Sequence, residues 1–530
     1  MEWQLACTDL DSVRRWLADH GRIDGLVVEP RSALQIFDTY MDTDDWRIHR
    51  AGFALRIRSA SGKSQATLKS LKSASAEVAD RRELSETLEN SESESVRQLI
   101  GPVGTRIHAL SGSHALLSLF EVRTSRQRFA IRREDEARQL GEIALDETVI
   151  SRPHGAPQAS MQRVEVEALT EAHEPLQSLV KTLRSDCALE AALDTKYSHG
   201  LKSVGLVPGP APDFAPMAVD VSMTIVEVAL ANLRRYLSAW HLHEPGARLG
   251  DDPEELHALR IAGRRLDAIL RQFRSSLPLS FRRIRTTLKT ILRALGHARD
   301  LDVALSELET FSREASKTDR NSAEPLKQYL VSERGRARAR MLSVLDSSRV
   351  QKNLQALTSL LAAPSAASQH SSSELALNVA PELIRRRYRK LRKGANLLRS
   401  DSSMEAYHEV RGLVKKLRYM LEAVAVIYGK PADEMLRALQ LWQEKLGVQQ
   451  DAAVASSRLK TLASAPPKGM PPETLFLMGR LAEHYANVAL RARKRYTKGY
   501  RKVRRRWKRL RTKFEDSAAI EAPKVADSVP

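Results

Sequence analysis

Charged side chains recur in this sequence at two different spacings, and each spacing implies its own chemistry. In the first 205 residues they alternate with apolar ones, in Leu55-Arg56-Ile57-Arg58, Arg126-Gln127-Arg128-Phe129-Ala130-Ile131-Arg132, Glu142-Ile143-Ala144-Leu145-Asp146 and Val164-Glu165-Val166-Glu167. A period of two places Arg56 with Arg58, Arg126 with Arg128 and Arg132, and Glu165 with Glu167 on single strand faces. Turned to water, such faces are the solvated side of a sheet. Turned inward as the lining of a barrel, the arginines could hold a polyanion and the carboxylates a divalent cation. The pattern leaves both open.

Beyond residue 224 the charges recur at helical spacing. His257, Arg260, Arg264 and Arg271 fall within about 60° of one another on a helix. Arg282, Arg285, Lys289 and Arg293 form a second stripe. Arg385, Arg389, Arg392 and Arg399 form a third, and His408, Arg411 and Lys415 a fourth. Like charges three and four residues apart destabilise an isolated helix, so repeated stripes of them call for an anion. His257 and His408 open basic stripes and have no carboxylate or histidine partners at metal-ligand spacing; they read as phosphate-facing donors. Arg299 follows in a segment with Asp300 and Asp302, carboxylates that read as partners fixing guanidinium geometry.

The elements that must position these groups follow from composition. The 530 residues hold 85 Lys+Arg against 65 Asp+Glu, a net charge of +20, with 42% hydrophobic and 28% charged residues. That composition is globular rather than disordered. Residues 1–205 hold 27 basic and 31 acidic residues, net −4, which leaves 58 and 34, net +24, in residues 206–530. Pro208, Gly209, Pro210, Pro212 and Pro216 mark a stiff linker between the two. A second break runs from Pro364 through Ser371–Ser373. The first part reads as a helix at Leu10–Leu17 followed by short strands, the second as all α. The second part also repeats itself. His257-Ala258-Leu259-Arg260 with Leu295-Gly296 and Asp300 returns, at an offset of 151, as His408-Glu409-Val410-Arg411 with Leu446-Gly447 and Asp451. Two similar bundles with pseudo-twofold symmetry are expected.

The expected divisions are 1–204, a linker at 205–220, a helical domain at 221–514 with halves at about 221–362 and 378–514, and a disordered tail at 515–530. Residues 491–513 contain fourteen Lys or Arg and no acid. Read as one helix, they put Arg491, Arg495, Lys498, Lys502, Arg505 and Arg509 on one stripe, and Tyr496, Tyr500, Val503, Trp507, Leu510 and Phe514 on another. The apolar stripe should dock on the bundle; membrane-surface and nucleic-acid binding fit the same pattern. Cys7 and Cys187 alone exclude a disulfide framework. No apolar run approaches membrane-spanning length and the N-terminus lacks a signal peptide's pattern, so a cytoplasmic location is expected.

Two families are resembled. Over roughly residues 1–202 the order of Phe37-Asp38-Thr39-Tyr40, Gly52 to Arg58, Thr67-Leu68-Lys69, Arg81 with Glu83, Ala144-Leu145-Asp146, Glu165 with Glu167, and Thr195-Lys196 is similar to the CYTH domain of the triphosphate tunnel metalloenzymes. The resemblance implies an eight-stranded antiparallel tunnel, with Arg56, Arg58, Lys69, Arg81, Arg126 and Arg128 as triphosphate contacts and Asp146, Glu165 and Glu167 as the acidic side that holds Mg²⁺ or Mn²⁺. The family's first strand reads ExExK; this chain has Glu2-Trp3-Gln4-Leu5-Ala6, and Arg163 stands two residues before Glu165. Weak or absent catalysis is expected, with no catalytic or metal residue assigned beyond the degenerate set Glu2, Asp146, Glu165 and Glu167. Over about 220–510, the pattern HxxRxxxRR then LGxxRDxDV, with its degenerate repeat, resembles the CHAD domain, which binds inorganic polyphosphate between two helical bundles.

The combined expectation is an α+β chain, an antiparallel β tunnel followed by an all-α two-bundle domain that grips linear polyphosphate with no cofactor. Association with polyphosphate granules follows from it. The alternatives are a Mg- or Mn-dependent inorganic triphosphatase brought to polyphosphate by its helical domain, and a nucleic-acid or membrane adaptor acting through the terminal basic helix.

Overall fold

The computed structural model describes residues 2–521 except 72–82, 91, 137, 170–172, 193, 210–213, 215–216, 363–373, 400 and 494–495. Residues Met1–Pro210 and Ala211–Pro530 form two compact units. Arg81 and the whole Pro364–Ser373 break lie outside the described residues.

The first unit carries strands β1 (Glu2–Cys7), β2 (Arg22–Ile23), β3 (Leu26–Asp42), β4 (Phe53–Ala60), β5 (Lys63–Ser70), β6 (Glu83–Leu88), β7 (Leu117–Arg133), β8 (Gln139–Ser151), β9 (Pro157–Ala168) and β10 (Glu190–Ala191). Its helices are α1 (Leu10–Asp19), α2 (Arg47–Arg50), α3 (Ser93–Gln98), α4 (Pro102–Ser111), α5 (Glu174–Asp186) and α6 (Lys196–Ser203). The sheet runs β10-β1-β9-β8-β7-β3-β4-β5-β6, with β2 beside β3. Every pair is antiparallel. Beside the two-residue β2 and β10 there are thus eight longer strands. The β4–β5 turn closes on Ser61 and Gly62 at φ 49° and 72°, the left-handed pair that a two-residue hairpin requires.

The two faces differ in kind. On one, Trp3, Leu5, Phe129, Ile131, Ile143, Leu145, Val164 and Val166 pack against Leu10, Val13 and Leu17 of α1 and Leu176, Leu179 and Leu183 of α5. On the same face farther along, Glu86 of β6 accepts from the amides of Gly101, Val103 and Gly104 and so caps α4, a carboxylate at a helix N-terminus. The other face carries the charges, because register puts Gln4 opposite Glu165, Asp146 opposite Arg126 and Arg163, and Asp38 opposite Arg58. It is not the solvated side of a sheet: Asp38, Asp146, Arg163 and Glu165 are all buried.

The second unit contains α7 (Ile225–Leu249), α8 (Pro253–Gln272), α9 (Ser280–Glu314), α10 (Lys317–Asp346), α11 (Ser348–Ala362), α12 (Ala376–Leu397), α13 (Met404–Tyr428), α14 (Lys430–Ser464), α15 (Pro472–Arg493) and α16 (Tyr496–Glu521). The five helices of the first half recur in order in the second. α7, α8 and α9 are matched by α12, α13 and α14, whose first residues lie 150 or 151 positions later. The halves meet symmetrically. Ile225 N–H donates to Glu374 C=O and Ala376 N–H to Met223 C=O, closing an antiparallel bridge between Thr224 and Leu375. The helices start where capping predicts: Thr224 forms a capping box with Glu227, and Asp252 and Ser403 accept from first-turn amides.

In the basic segment 491–513, Arg491 lies in the last turn of α15 while Lys502, Arg505 and Arg509 ride on α16; residues 494 and 495, between the two, lie outside the described residues. The tail begins later than residue 515, since α16 continues to Glu521, and 522–530 lie outside the described residues.

The apolar stripe of α16 docks as its spacing requires. Tyr500, Val503, Trp507, Leu510 and Phe514 are buried; Trp507 stacks on Tyr388 at 3.9 Å and Tyr500 on Trp442 at 5.3 Å. Trp442 has no exposed surface, and a Cβ on Gly499 would lie 2.3 Å from its ring. Replacing Trp442 by Ala is expected to lower the stability of the helical unit by about 3–5 kcal/mol, measured by denaturant unfolding followed by helix circular dichroism.

Candidate functional site

On the charged face of the sheet, the arginines are already paired. Arg126 forms a bidentate pair with Asp146, 2.7 Å for both bonds, and also reaches Glu165. Lys196, the first residue of α6 behind a Thr195 cap, enters from outside the sheet to bind Asp146 and, at 3.1 Å, Glu165. Arg58 holds Asp38 with bonds of 2.7 and 2.8 Å. Arg56 and Lys69 share Glu83 at 3.0 and 3.3 Å. Burial alone would raise the Glu165 and Asp38 carboxyls. Lys196 and Arg126 outweigh it at Glu165, and Arg58 and Arg56 at Asp38, holding both below the ordinary carboxylate range.

These contacts bring together Arg56, Arg58, Lys69, Arg126, Asp146 and Glu165. Arg128 stands apart, half-buried, 3.8 Å from Glu142 and bonded to Ser32. Three partners were not among the candidates: Asp38, Glu83 and Lys196. The strand alternation flagged only the basic member of the first pairings, and a helix-borne lysine carries no strand signal at all. Glu2, Glu167 and Glu142 sit side by side across β1, β9 and β8. Burial, then Glu2 and Glu142, push the Glu167 carboxyl up. Gln4 donates to Glu2 at 2.7 Å and Arg163 points to Gln4 and the Asp194 carbonyl. A neutral amide and a guanidinium at these positions, with Asp146 and Glu165 already bound to cations, do not fit a family-like divalent cation site.

The helical unit handles charge differently. Arg260 and Arg411 occupy equivalent places in the two halves, each with a single carboxylate, Asp300 or Asp451, at 3.8 Å. The Nε of each arginine is buried without a hydrogen-bond partner. The Leu-Gly pair of the repeat explains the arrangement: a Cβ on Gly296 would stand 3.6 Å from the Arg260 guanidinium, and one on Gly447 3.5 Å from that of Arg411. Anything larger than Ala would displace the arginine.

α8 and α13 then bring the two stripes together. Burial, followed by the charges of Arg411, Arg264 and Arg260, pushes the Lys415 ammonium down to about 7, with Asp451 only partly offsetting them. Burial and neighbouring arginines likewise depress Arg260 and His257. His257, Arg260, Arg264, Arg299, Arg411 and Lys415 thus form one electropositive cluster. Arg299 is anchored by Glu254 at 2.9 Å, while Gln450 stands at its equivalent in the second half. His408 is exposed.

Other candidates go elsewhere. Arg271 lies near Arg387 of α12; Arg282, Lys289 and Arg293 are exposed on α9, and Arg285 is tied to Asp267 at 2.9 Å. Arg385 sits over the Phe514 ring, Arg389 pairs with Glu382, and Arg392 is exposed on α12 beside α16. Asp302 binds Arg334 at 2.6 Å. The sequence candidates missed Glu422 of α13, which faces Arg265 of α8 at 3.8 Å and Arg418 at 3.1 Å.

Lys196 is the test of the sheet's self-paired network. Removing one partner of a buried pair costs about 3–5 kcal/mol, so Lys196→Met should destabilise the first unit by that order at pH 7. The carboxylate stability it supports is present above the unfolded pKa and lost as pH falls through the depressed folded one. The gap between wild type and variant should therefore narrow below about pH 4.5, as read by urea unfolding across pH.

Residues 18–196 match the CYTH domain model and residues 231–460 the CHAD domain model. Among solved structures, the CHAD domain from the plant Ricinus communis is 26% identical, covering 55% of this chain and 96% of that one at a TM-score of 0.45. PptA from Streptomyces chartreusis is 19% identical, covering 53% and 100%, TM-score 0.42. The Hippeastrum protein HpAC1, described as having a dominant triphosphatase activity, is 16% identical, covering 39% and 96%, TM-score 0.28. No curated protein matches the chain. The chain carries a CYTH domain followed by a CHAD domain.

Proposed function

We propose that this protein binds inorganic polyphosphate through the α8/α13 cluster of its helical unit, and that its CYTH sheet is catalytically degenerate. The observation that carries the reading is the concentration of His257, Arg260, Arg264, Arg411 and Lys415 around two distant carboxylates. Assembling like charges in a half-buried place costs free energy in the absence of an anion. A linear polyanion with one charge per phosphate and no bases would relieve that cost by charge-assisted hydrogen bonds. The protein needs no metal for this, and among the described residues no helix is long and apolar enough to cross a membrane.

In the sheet, each described candidate phosphate contact apart from Arg128 already holds a carboxylate, so a triphosphate would have to displace an internal ion pair. One observation favours a second reading. The Glu2, Glu142 and Glu167 row is under like-charge strain, which a divalent cation would relieve; on that reading the chain is a Mg- or Mn-dependent inorganic triphosphatase.

Two measurements check these readings. Long-chain polyphosphate should bind the full chain with a steep salt dependence and should lose most of its affinity in the Arg260→Ala, Arg411→Ala double variant. Lys415 is neutral above about pH 7, so its protonation adds a binding charge. Affinity should rise as pH falls from 8 to 6, by up to about tenfold per unit above 7, and Lys415→Arg should flatten that profile in titration calorimetry. Phosphate release from inorganic triphosphate, with Mg²⁺ or Mn²⁺ added, should stay far below the ordinary enzyme turnover of about 1 s⁻¹. A turnover at or above that value makes the second reading correct.

A further inference from the structure

A second basic surface exists that the cluster between α8 and α13 does not use. α12 and α16 lie side by side, fastened by the Tyr388–Trp507 stack, by Arg385 over Phe514 at 5.7 Å, and by the Tyr500 hydroxyl donating to Asn396 at 2.9 Å. Residues 383–393 contribute seven Lys or Arg and residues 501–513 nine, with no acid in either stretch. Apart from Thr512, every exposed side chain in the two stretches is Lys or Arg. Nearby carboxylates are few: Glu434 takes Arg506 and Arg509, Glu382 takes Arg389, and Glu515 takes Arg511.

The fold does not require these charges. The symmetry-related pair, α7 and α11, offers only Arg234, Arg235 and Lys352 at the equivalent positions. The charges are therefore an addition to one half, made on a scaffold that forms without them in the other. The surface is also connected to the cluster. From Arg260 the α8 stripe runs about 16 Å to Arg271, which lies near Arg387 of α12. Farther along, Arg392 of α12 and Arg504 of α16 both act on Tyr388 and Tyr500.

Other occupants fit less well. An interfacial membrane helix needs its apolar stripe free to enter lipid, and here Val503, Leu510 and Phe514 are buried in the bundle. Single-stranded nucleic acid needs exposed aromatic platforms, and Tyr388 and Trp507 are buried against each other and Tyr500 against Trp442. Reading adenine or cytosine in a duplex needs amide or acidic side chains, which are absent from the exposed residues of the two stretches.

We propose that a polyphosphate chain held at the α8/α13 cluster continues past Arg271 and along α12 onto the exposed face of α16, so that long chains are gripped at two places and short ones at one. This rests on the polyphosphate reading above and adds a chain-length preference to it. Linking two weak sites by one ligand raises affinity without new kinds of contact.

The experiment compares the full chain with two variants, the cluster variant Arg260→Ala/Arg411→Ala and the surface variant Lys502→Ala/Arg505→Ala/Lys508→Ala. Probes are inorganic polyphosphate of about 5 and about 100 phosphates and a short duplex DNA, each titrated at several salt concentrations. The surface variant should lose about tenfold or more in affinity for the long chain and little for the short one, and its salt slope for the long chain should fall by about 2, the value for three lost phosphate contacts. Lys502→Arg/Lys508→Arg should bind as wild type, and unchanged helix circular dichroism should show that both variants fold. If the surface variant binds long chains normally while the cluster variant does not, the extension is overturned and the cluster reading stands. If wild type binds neither chain, the cluster reading itself fails and takes the extension with it. If the surface variant loses only duplex DNA, the surface belongs to nucleic acid and the extension is overturned.

Discussion

Repulsion among Arg260, Arg264, Arg411 and Lys415 is the constraint on which the helical unit turns. Four cations, each on its own helix turn, are drawn together by apolar packing behind them, where Leu259, Leu266, Val414 and Leu417 are buried. The favourable burial of those side chains is what holds the charges in place. The remaining details serve that arrangement: Gly296 and Gly447 leave room for the guanidinium groups, and Asp300 and Asp451, each at 3.8 Å, offset the repulsion only in part.

The sheet answers the same problem in the opposite way. Its cations Arg58 and Arg126 each meet a carboxylate at hydrogen-bonding distance, and Lys196 is brought in on a separate helix to complete the balance. Such a network is costly to break and gives little net attraction for an outside anion. Two units built from similar residues thus differ in electrostatic character, one nearly self-neutralised and one strongly positive. The difference lies both in number, 27 basic against 31 acidic residues in the first part and 58 against 34 in the second, and in where the acids sit.

Duplication explains why the positive unit is economical to build. A single helix with His257, Arg260 and Arg264 is a solvated stripe. Two copies related by the Thr224–Leu375 bridge turn it into a cluster, because each stripe faces its equivalent. The copies have since diverged where symmetry does not matter: Gln450 replaces the anchored Arg299, and α16 carries a charge load that α11 lacks.

Much of this was legible in the sequence. The period-two and 3.6 patterns separated the sheet from the helices, the 151-residue offset disclosed the paired bundles, and the spacing of Tyr500 to Phe514 identified the docking face of α16. Those readings succeed because they depend on local periodicity and burial, which a sequence carries directly. Pairing across long separations does not leave such a trace. That Arg126 and Lys196 would close on Asp146 and Glu165, that Arg264 would meet Lys415, and that Arg271 would reach Arg387 depended on strand register and on the placement of helices against one another. Only the tertiary structure decided which charges cancel and which remain, because electrostatic character is set by distances of a few ångströms between residues tens to hundreds of positions apart.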